Sequence, residues 1–363
     1  MTIVAYIIIV FTGIQFLVAL VNLLFRAVLP KSKSVYSELV SVLIPARNEE
    51  ENIGNILNDL INQEYRNIEI IVFDDQSDDR TREITEEYVH RDNRISIISS
   101  DGLPDGWLGK NHACHSLSKY SEGSFLLFVD ADVHIKRNTI GNAVAMAKRY
   151  DLALISIFPK QEIKSFGERV TVPNMNYILL SLLPLVFVRT SKFTSLSAAN
   201  GQFMFFRSDI YKTIEPHSLM RKERVEDISI ARYFKKEGLK IACLTGDKNI
   251  SCRMYTGFKD AVKGFSKNVI AFFGNSFIIA VMFWLITTIG FIPVLFFLPA
   301  GWFAAYITAY LLIRIMISAS SHQNILYNLI FIIPLQISLG IFIYRAFINR
   351  FFKSFEWKGR SIK

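Results

Sequence analysis

The sequence predicts an α/β domain built on a mostly parallel sheet and flanked by membrane-spanning helices. Three observations carry this expectation. Strand-length apolar runs alternate with stretches of helical periodicity between residues 40 and 243. Those runs lack polar alternation, as strands covered on both faces do. Both ends of the chain hold long stretches with little or no charge, and 51% of the 363 residues are apolar, high for a chain that meets only water.

Thr2 to Phe25 carries no charged residue. About 20 apolar residues at a rise of 1.5 Å match the hydrocarbon core of a bilayer. A cleaved leader would show a basic start and a small-residue cleavage site; neither is present, so an uncleaved anchor is expected. Arg26, Lys31 and Lys33 follow directly, which places the next domain in the cytoplasm. Phe277 to Leu298 and Ile325 to Tyr344 are further candidate spans. Trp302 to Ser320 is weaker, because Arg314 interrupts it.

If all three C-terminal segments crossed, the basic tail (Arg345, Arg350, Lys353, Lys358, Arg360, Lys363) would lie outside, against the charge rule. One segment in the Phe277 to Ser320 stretch is therefore expected to be re-entrant or interfacial. The net charge of +9 gathers beside apolar segments, which fits anionic lipid headgroups better than nucleic acid. Cys114, Cys243 and Cys252 form no CxxC pair and suit a reducing compartment. Tyr177 to Val188 is apolar, too short to span, broken by Pro184 and flanked by Arg169 and Arg189. It is expected in the membrane interface, where it would help admit an apolar acceptor, with a buried helix of the domain as the alternative.

Within the domain, Val40 to Ile44 reads as a strand, followed after Pro45 by a helix that puts Ile53, Ile56, Leu57, Leu60 and Ile61 on one face. Ile68 to Phe73, Ile95 to Ile98, Phe125 to Val129, Leu152 to Phe158, Phe203 to Phe206 and Leu239 to Cys243 are the further strands. Asp79 to His90 and Ile228 to Lys236 read as helices, the second stopped by Gly238. Ligands of open α/β sheets collect beyond the carboxyl ends of strands, and here those ends are acidic.

The first strand ends in Pro45-Ala46-Arg47-Asn48-Glu49, the second in Asp74-Asp75-Gln76-Ser77-Asp78-Asp79, the fourth in Asp130-Ala131-Asp132. Carboxylates converging on one edge repel one another unless a cation sits among them. Asp130 and Asp132, two apart, project to one side and suit Mg²⁺ or Mn²⁺, although a pair of loop caps is the plain alternative. Asp75 could accept the N3–H of a uracil ring, or the acidic run could only cap the next helix. Arg47, Asn48 and Glu49 stand at a helix start, where backbone N–H groups favour anions. Lys110, in Trp107-Leu108-Gly109-Lys110-Asn111-His112, could neutralise a diphosphate or simply be solvated. His112, Cys114 and His115 lack the second ligand cluster that structural zinc needs. Glu226 and Asp227 begin a helix, so they serve its dipole, or Asp227 is a general base; the spacing leaves both open.

In this order and spacing, PARNE at Pro45 to Glu49, DDQSDD at Asp74 to Asp79, GWLGKNHA at Gly106 to Ala113, DAD at Asp130 to Asp132, NGQF at Asn200 to Phe203 and VEDI at Val225 to Ile228 resemble the family 2 glycosyltransferases. The Arg253 to Phe258 and Gly264 to Asn268 stretches and Glu356-Trp357-Lys358-Gly359-Arg360 are similar to membrane-bound diaponeurosporenoate (carotenoid acid) glycosyltransferases and related lipid glycosyltransferases. The resemblance implies a GT-A fold, Rossmann-like, with one N-terminal and two to three C-terminal transmembrane helices. It implies an inverting transfer of a hexose such as glucose from a nucleotide sugar, most simply a UDP-sugar, to a membrane lipid. Carried onto matching positions, Pro45, Arg47, Glu49, Asp75, Lys110 and Asp130 would hold the donor nucleotide, Asp130 and Asp132 the Mg²⁺ or Mn²⁺, and Asp227 would be the catalytic base. Gly201, Gln202, Glu226, Lys267 and Trp357 would border sugar and acceptor. QxxRW, which marks processive polysaccharide synthases, is absent, and Glu215-Pro216-His217 stands where relatives often carry GGH.

The expected organisation is an anchor over 1–30, a cytoplasmic catalytic domain over 36–275 with an interfacial segment at 165–193, transmembrane helices over 276–347 and a basic tail over 348–363. Acceptors weighed beside a carotenoid acid are a glycerolipid, a hopanoid, a polyprenyl phosphate or a cell-surface glycan. A haloacid-dehalogenase-type phosphatase would want the DxD motif on its first strand with a small hydroxyl residue following, and His134-Ile135 follows here. A transporter or scaffold is disfavoured because the acidic residues crowd into the α/β part.

Overall fold

The computed structural model describes residues 1–352 and the backbone of 356–357 and 360–361. From the N-terminus run α1 (Thr2–Phe25), β1 (Val40–Ala46), α2 (Ile53–Ile61), β2 (Ile68–Asp74), α3 (Thr81–Arg91), β3 (Ile95–Ser99), α4 (Gly109–Lys119), β4 (Phe125–Val129), β5 (Val133–Ile135), α5 (Thr139–Tyr150) and β6 (Leu154–Phe158). Next come β7 (Lys160–Gln161), α6 (Phe166–Arg169), α7 (Pro173–Leu182), α8 (Val186–Thr190), β8 (Phe203–Arg207), α9 (Ser208–Ile214), α10 (Pro216–Leu219), α11 (Glu226–Lys236), β9 (Ile241–Thr245) and β10 (Ile250–Cys252). The chain continues through α12 (Phe258–Asn268), α13 (Phe277–Ile289), α14 (Phe291–Phe297), α15 (Ala300–Ser320), α16 (Ile325–Ile330) and α17 (Ile332–Phe352), with β11 (Glu356–Trp357) paired to β12 (Arg360–Ser361). The basic tail beyond Phe352, and with it the Trp357 side chain, lies outside the described residues.

Two compact units emerge, and the sequence weaves between them: 27–160 with 185–252, and 1–26 with 161–184 and 253–363. The first is the expected α/β unit. Its seven-stranded sheet has the order β3-β2-β1-β4-β8-β6-β9. All neighbours are parallel except β8, which is antiparallel to β4 and β6. Strand direction could not be read from Phe203 to Arg207, whose buried run is apolar whichever way it points. The order turns at β1, with β2 and β3 on one side and β4 on the other, so a crevice opens between the carboxyl ends of β1 and β4. Val42, Leu43, Leu126, Leu127 and Phe205 fill the sheet centre at 1% exposure or less.

The second unit is helical, and its burial pattern is inverted. On α1, Thr12, Gln15 and Asn22 are buried, whereas Ile3, Val10 and Leu17 are at least 60% exposed. Helices in hydrocarbon turn polar groups toward one another and apolar side chains outward. Asn22 Nδ2 accordingly donates to the Leu180 and Leu183 carbonyls at 2.9 Å each. Asn174 Nδ2 donates to Leu335 O and Ser338 Oγ, both at 2.9 Å.

Among the described residues three helices are long and apolar enough to cross a membrane, Thr2–Phe25, Ala300–Ser320 and Ile332–Phe351, and Phe258–Phe273 with Phe277–Ile289, bent by 100°, would make a fourth if the pair is one span. The stretch from Trp302, marked down for its arginine, is thus a continuous helix. Phe277 to Leu298 is instead divided at Gly290, where Pro293 lacks the N–H that the Ile289 carbonyl would accept. α1 and α15 run parallel, since Tyr6 meets Trp302 with ring centroids 6.0 Å apart and Ala5 and Ile8 cluster with Tyr306. α13 runs opposite to α1, with Phe11 against Phe283 and Gly290 beside Ile8. α17 also runs opposite to α13: Thr288 bonds Gln336, and Phe277 meets Phe347. The 165–193 segment expected in the interface is divided between the units. Pro173 to Ser181 of α7 are all buried in the helical unit, where α7 packs on α1 and α15, and Val186–Thr190 belongs to the α/β unit.

Candidate active site

Each sequence motif of the α/β unit reaches the carboxyl edge of the sheet for a local reason. β1 and β2 pair in register through Ala46 and Asp74, and Asp75 N–H then donates to Ala46 O at 2.9 Å. The two loops are tied together past that point. Arg47 Nη1 donates to the carbonyls of Asp75 (2.5 Å) and Gln76 (3.0 Å). Asn48, at φ +52°, accepts the Asp78 N–H on its Oδ1 at 2.9 Å. Glu49 N–H donates to Thr81 Oγ1 at 2.7 Å.

The acidic run therefore divides its labour. Asp74 Oδ1 takes Ser77 N–H, and Asp79 takes the amides of Thr81 and Glu50, so these two hold the loop. Burial disfavours the Asp79 carboxylate, but the Thr81 hydroxyl and amides outweigh it and its pKa is lowered. Asp75, 1% exposed, stands at the end of β2.

Beyond the end of β4 and the start of β8 lies a cluster of charged side chains. Lys110, on the first turn of α4, pairs with Asp130 Oδ1 at 2.7 Å and Oδ2 at 2.9 Å, and donates to Gly201 O at 3.2 Å. Burial works against the ammonium, yet Asp130 and Glu226 outweigh it and the Lys110 pKa is raised. Gly201 N–H donates to Asp227 Oδ2 at 2.8 Å, and Ile228 N–H to Asp227 Oδ1 at 2.7 Å. Gly201 is a glycine for want of room. A Cβ there would stand 3.2 Å from both Glu226 Oε1 and Lys110 Nζ.

Burial pushes Glu226 up to about 7, with Lys110 opposing and Asp227 adding to it; burial also raises Asp227. Asp132 is pushed up to about 6 by burial, then by Asp130 and Glu49. The Cys252 thiol lies against the Asp132 carboxylate, and Gln202 Nε2 donates to Cys252 Sγ at 3.0 Å. Asp132 Oδ1 is buried with no hydrogen-bond partner among the described residues. An ionisable oxygen in that state suits a hard cation. Among the described residues no three His, Cys, Asp or Glu groups gather as a self-sufficient metal cage, so a cation here would complete its shell with ligand or water oxygens.

The site thus joins Lys110, Asp130, Gly201, Gln202, Glu226 and Asp227, with Asp132 beside Asp130 and with Pro45, Arg47, Glu49 and Asp75 on the neighbouring strand ends. Lys267 is on α12 in the helical unit. His112 and His115 are no zinc pair: Trp107 stacks on His115 at 5.1 Å and meets His112 edge-on at 5.7 Å, while burial holds the Cys114 thiol protonated. His217, of Glu215-Pro216-His217, is buried against Tyr211, with 2.7 Å between Nδ1 and the hydroxyl. Sequence reasoning passed over Asn111. Its buried Nδ2 donates to the carbonyls of Met220 (2.8 Å) and Glu223 (3.0 Å), fixing the loop that leads into Glu226. The available signal was an amide inside a helix facing the core, which must bond something.

Residues 41–215 match the family model described as Glycosyl transferase family 2. A 4,4'-diaponeurosporenoate glycosyltransferase of Staphylococcus haemolyticus is 29% identical over 249 residues, 66% of this chain and 63% of that protein. Its counterpart from Staphylococcus aureus USA300 is 25% identical over 276 residues, 71% of this chain and 69% of the relative. This chain thus aligns with about two thirds of each relative's length. Among solved structures, the mannosyltransferase PcManGT from Pyrobaculum calidifontis, in complex with GDP-Man and Mn²⁺, aligns with a TM-score of 0.56 at 15% identity. That alignment covers 96% of this chain and 99% of the other.

Proposed function

Residues 41–215 belong to glycosyl transferase family 2, on the GT-A fold, and on that premise we propose that this chain moves a hexose from a nucleotide sugar to an apolar membrane acceptor with inversion. The observation that carries the reading is the linked constellation Lys110–Asp130 and Gly201–Asp227 at the crevice where the strand order turns. Asp75 receives the base of the nucleotide, a uracil through its N3–H, and Pro45, Arg47 and Glu49 line the same edge. Lys110 offsets the diphosphate charge. Asp132, with Asp130, would hold Mg²⁺ or Mn²⁺, which when bound neutralises charge building on the leaving group. The acceptor oxygen attacks the anomeric carbon as the bond to the diphosphate breaks on the opposite face.

Asp227 is fixed by two backbone amides, where it would take the proton of a hydroxyl acceptor; Glu226, with its pKa near 7, stands beside it as a second proton site. The two Staphylococcus relatives are named for a carotenoid acid, and we extend that acceptor class to this chain. A carboxylic acid is already ionised at neutral pH, so Asp227→Asn is expected to abolish transfer to an alcohol and spare much of the transfer to a carboxylate. Equal, severe loss with both would refute that distinction.

The helix directions support a membrane arrangement. If α1 delivers the chain to the cytoplasm, α13 and α14 cross outward and α15 crosses back. α17, opposite to α13, also heads inward, so on this reading the chain turns back between Ser321 and Gln336, while Phe258–Phe273 and Phe277–Ile289 meet at a 100° bend that leaves a re-entrant segment there open as well. Arg345 and Arg350 of α17 then lie toward the same side as Arg26, as the charge rule asks. A donor screen with the purified full chain, reading nucleoside diphosphate release with Mn²⁺ or Mg²⁺, tests the activity. Release untouched by Asp132→Ala would remove the metal site. Metal binding needs the ionised carboxylate, so Mn²⁺ affinity should weaken as pH falls below about 6.

A further inference from the structure

Inside the helical unit, away from every motif used above, lies a buried cation without an anion among the described residues. Arg314 of α15 is 3% exposed. Its guanidinium carbon sits 3.5 Å from the centroid of the Tyr177 ring and 5.5 Å from that of Tyr310. Nη2 donates to the Tyr310 hydroxyl at 3.2 Å, and Nε has no acceptor among the described residues. No described carboxylate comes within 4.0 Å of it, whereas Arg253 of the same unit is paired with the buried Glu168 at 2.8 Å.

The groups around Arg314 are also rich in donors. Gln336 Nε2 donates one of its two protons to the same Tyr310 oxygen at 3.2 Å, which leaves the Tyr310 proton to find another acceptor. Gln15 of α1 is 2% exposed, with an Nε2 that meets no acceptor among the described residues. The buried Tyr177 hydroxyl faces Gln15 and Thr287. Four helices thus aim a charge and several N–H and O–H donors at one place and supply no anion there. Ring faces offset part of the desolvation of a guanidinium, but an uncompensated buried charge remains costly.

We propose that this cluster binds the carboxylate of a long-chain apolar acid, with Arg314 as the anchor and Gln15 and Tyr177 as the flanking donors. Depth selects the class. Gln15 lies ten residues from Phe25 and thirteen from Thr2, about 15 Å and 20 Å along the helix, near the middle of a span. A phospholipid phosphate stays at the interface, so an anion at this depth must be carried in on its own apolar tail. The proposal rests on reading α1 and α15 as spans and is independent of the transfer reaction.

The test uses the purified full chain in uncharged detergent, titrated with a fluorescent polyene fatty acid and, separately, with its methyl ester. Energy transfer from tryptophan is the signal, and Trp284, which donates to Gln336 O at 2.8 Å, is the nearby donor. The acid should bind at least tenfold more tightly than the ester. Arg314→Gln should remove that preference, Arg314→Lys keep part of it, and Gln15→Leu weaken the acid a few-fold. Equal binding of acid and ester by the wild-type chain overturns the proposal without any variant, so a misfolded Arg314 substitution cannot shelter it. Full acid preference in a folded Arg314→Gln chain, or displacement of the acid by equimolar phosphatidylglycerol, overturns it as well. Loss of nucleoside diphosphate release in the Asp132→Ala chain, with acid binding retained, separates this site from the reaction centre.

Discussion

In the α/β unit, polar residues with work to do stand at the edge of a sheet whose interior holds Val42, Leu127 and Phe205; in the helical unit Gln15, Asn22, Asn174 and Arg314 are inside and Ile3, Val10 and Phe296 face out. Both units hide their costly groups, but from different solvents. In water an acidic edge is tolerable because ions and ligands reach it, and Lys110 offsets Asp130 in advance. In hydrocarbon the backbone and amides must be satisfied by neighbouring helices, as Asn22 and Asn174 show. Burial alone is thus no guide to function; what a buried group lacks is.

The sharpest way to break this contrast is at Lys110. Lys110→Ala should lower kcat by about 10²–10³-fold, the usual cost of losing one preorganised charge at a reaction centre, with an unchanged circular dichroism spectrum. Next, Val10→Asp places a charge on the outward face of α1. It should cost about 2.5–3.5 kcal/mol of insertion and move protein from the membrane fraction to the extractable one.

A smaller effect is expected at His217, which burial holds neutral with its pKa pushed down to about 3. The unfolded imidazole titrates near 6.5, so this stability is complete above that pH and is lost as pH falls toward 3. From pH 7 to 5 the α/β unit should lose about 2 kcal/mol through this group, and His217→Phe should flatten that part of a denaturant-midpoint profile. Smallest is Asn22→Leu, which removes two interhelical bonds and should cost about 0.6–2 kcal/mol, read as a lower Tm in micelles. A rise in Tm would show that the inward amides of this unit are not structural.

Part of the candidate site was legible because Pro45 to Glu49, Asp74 to Asp79 and Asp130 to Asp132 follow strand ends, and the ends of parallel strands share an edge. Asp130, Asp132, Lys110 and Asp227 could be named from that rule and the resemblance alone. What stayed hidden depended on partners distant in sequence. Asn111 reads as an ordinary helix residue until Met220 and Glu223 arrive beneath it. Arg314 counted against a span because Tyr177, the ring that covers it, belongs to a segment read as interfacial. Pro293 gave a local sign of the break after α13 that the hydropathy of Phe277 to Leu298 concealed.

The interleaving of the two units has a bearing on any attempt to make the α/β unit soluble. β8 and β9 are translated only after Gln161 to Pro184 has left for the helices, so no single cut frees the complete seven-stranded sheet. A fragment spanning 27–252 would drag α7 along, with Asn174 and Asn176 stripped of the helices that surround them. Shortening that excursion to a brief polar bridge from Lys160 to Leu185 is the splice that the chain's own itinerary recommends.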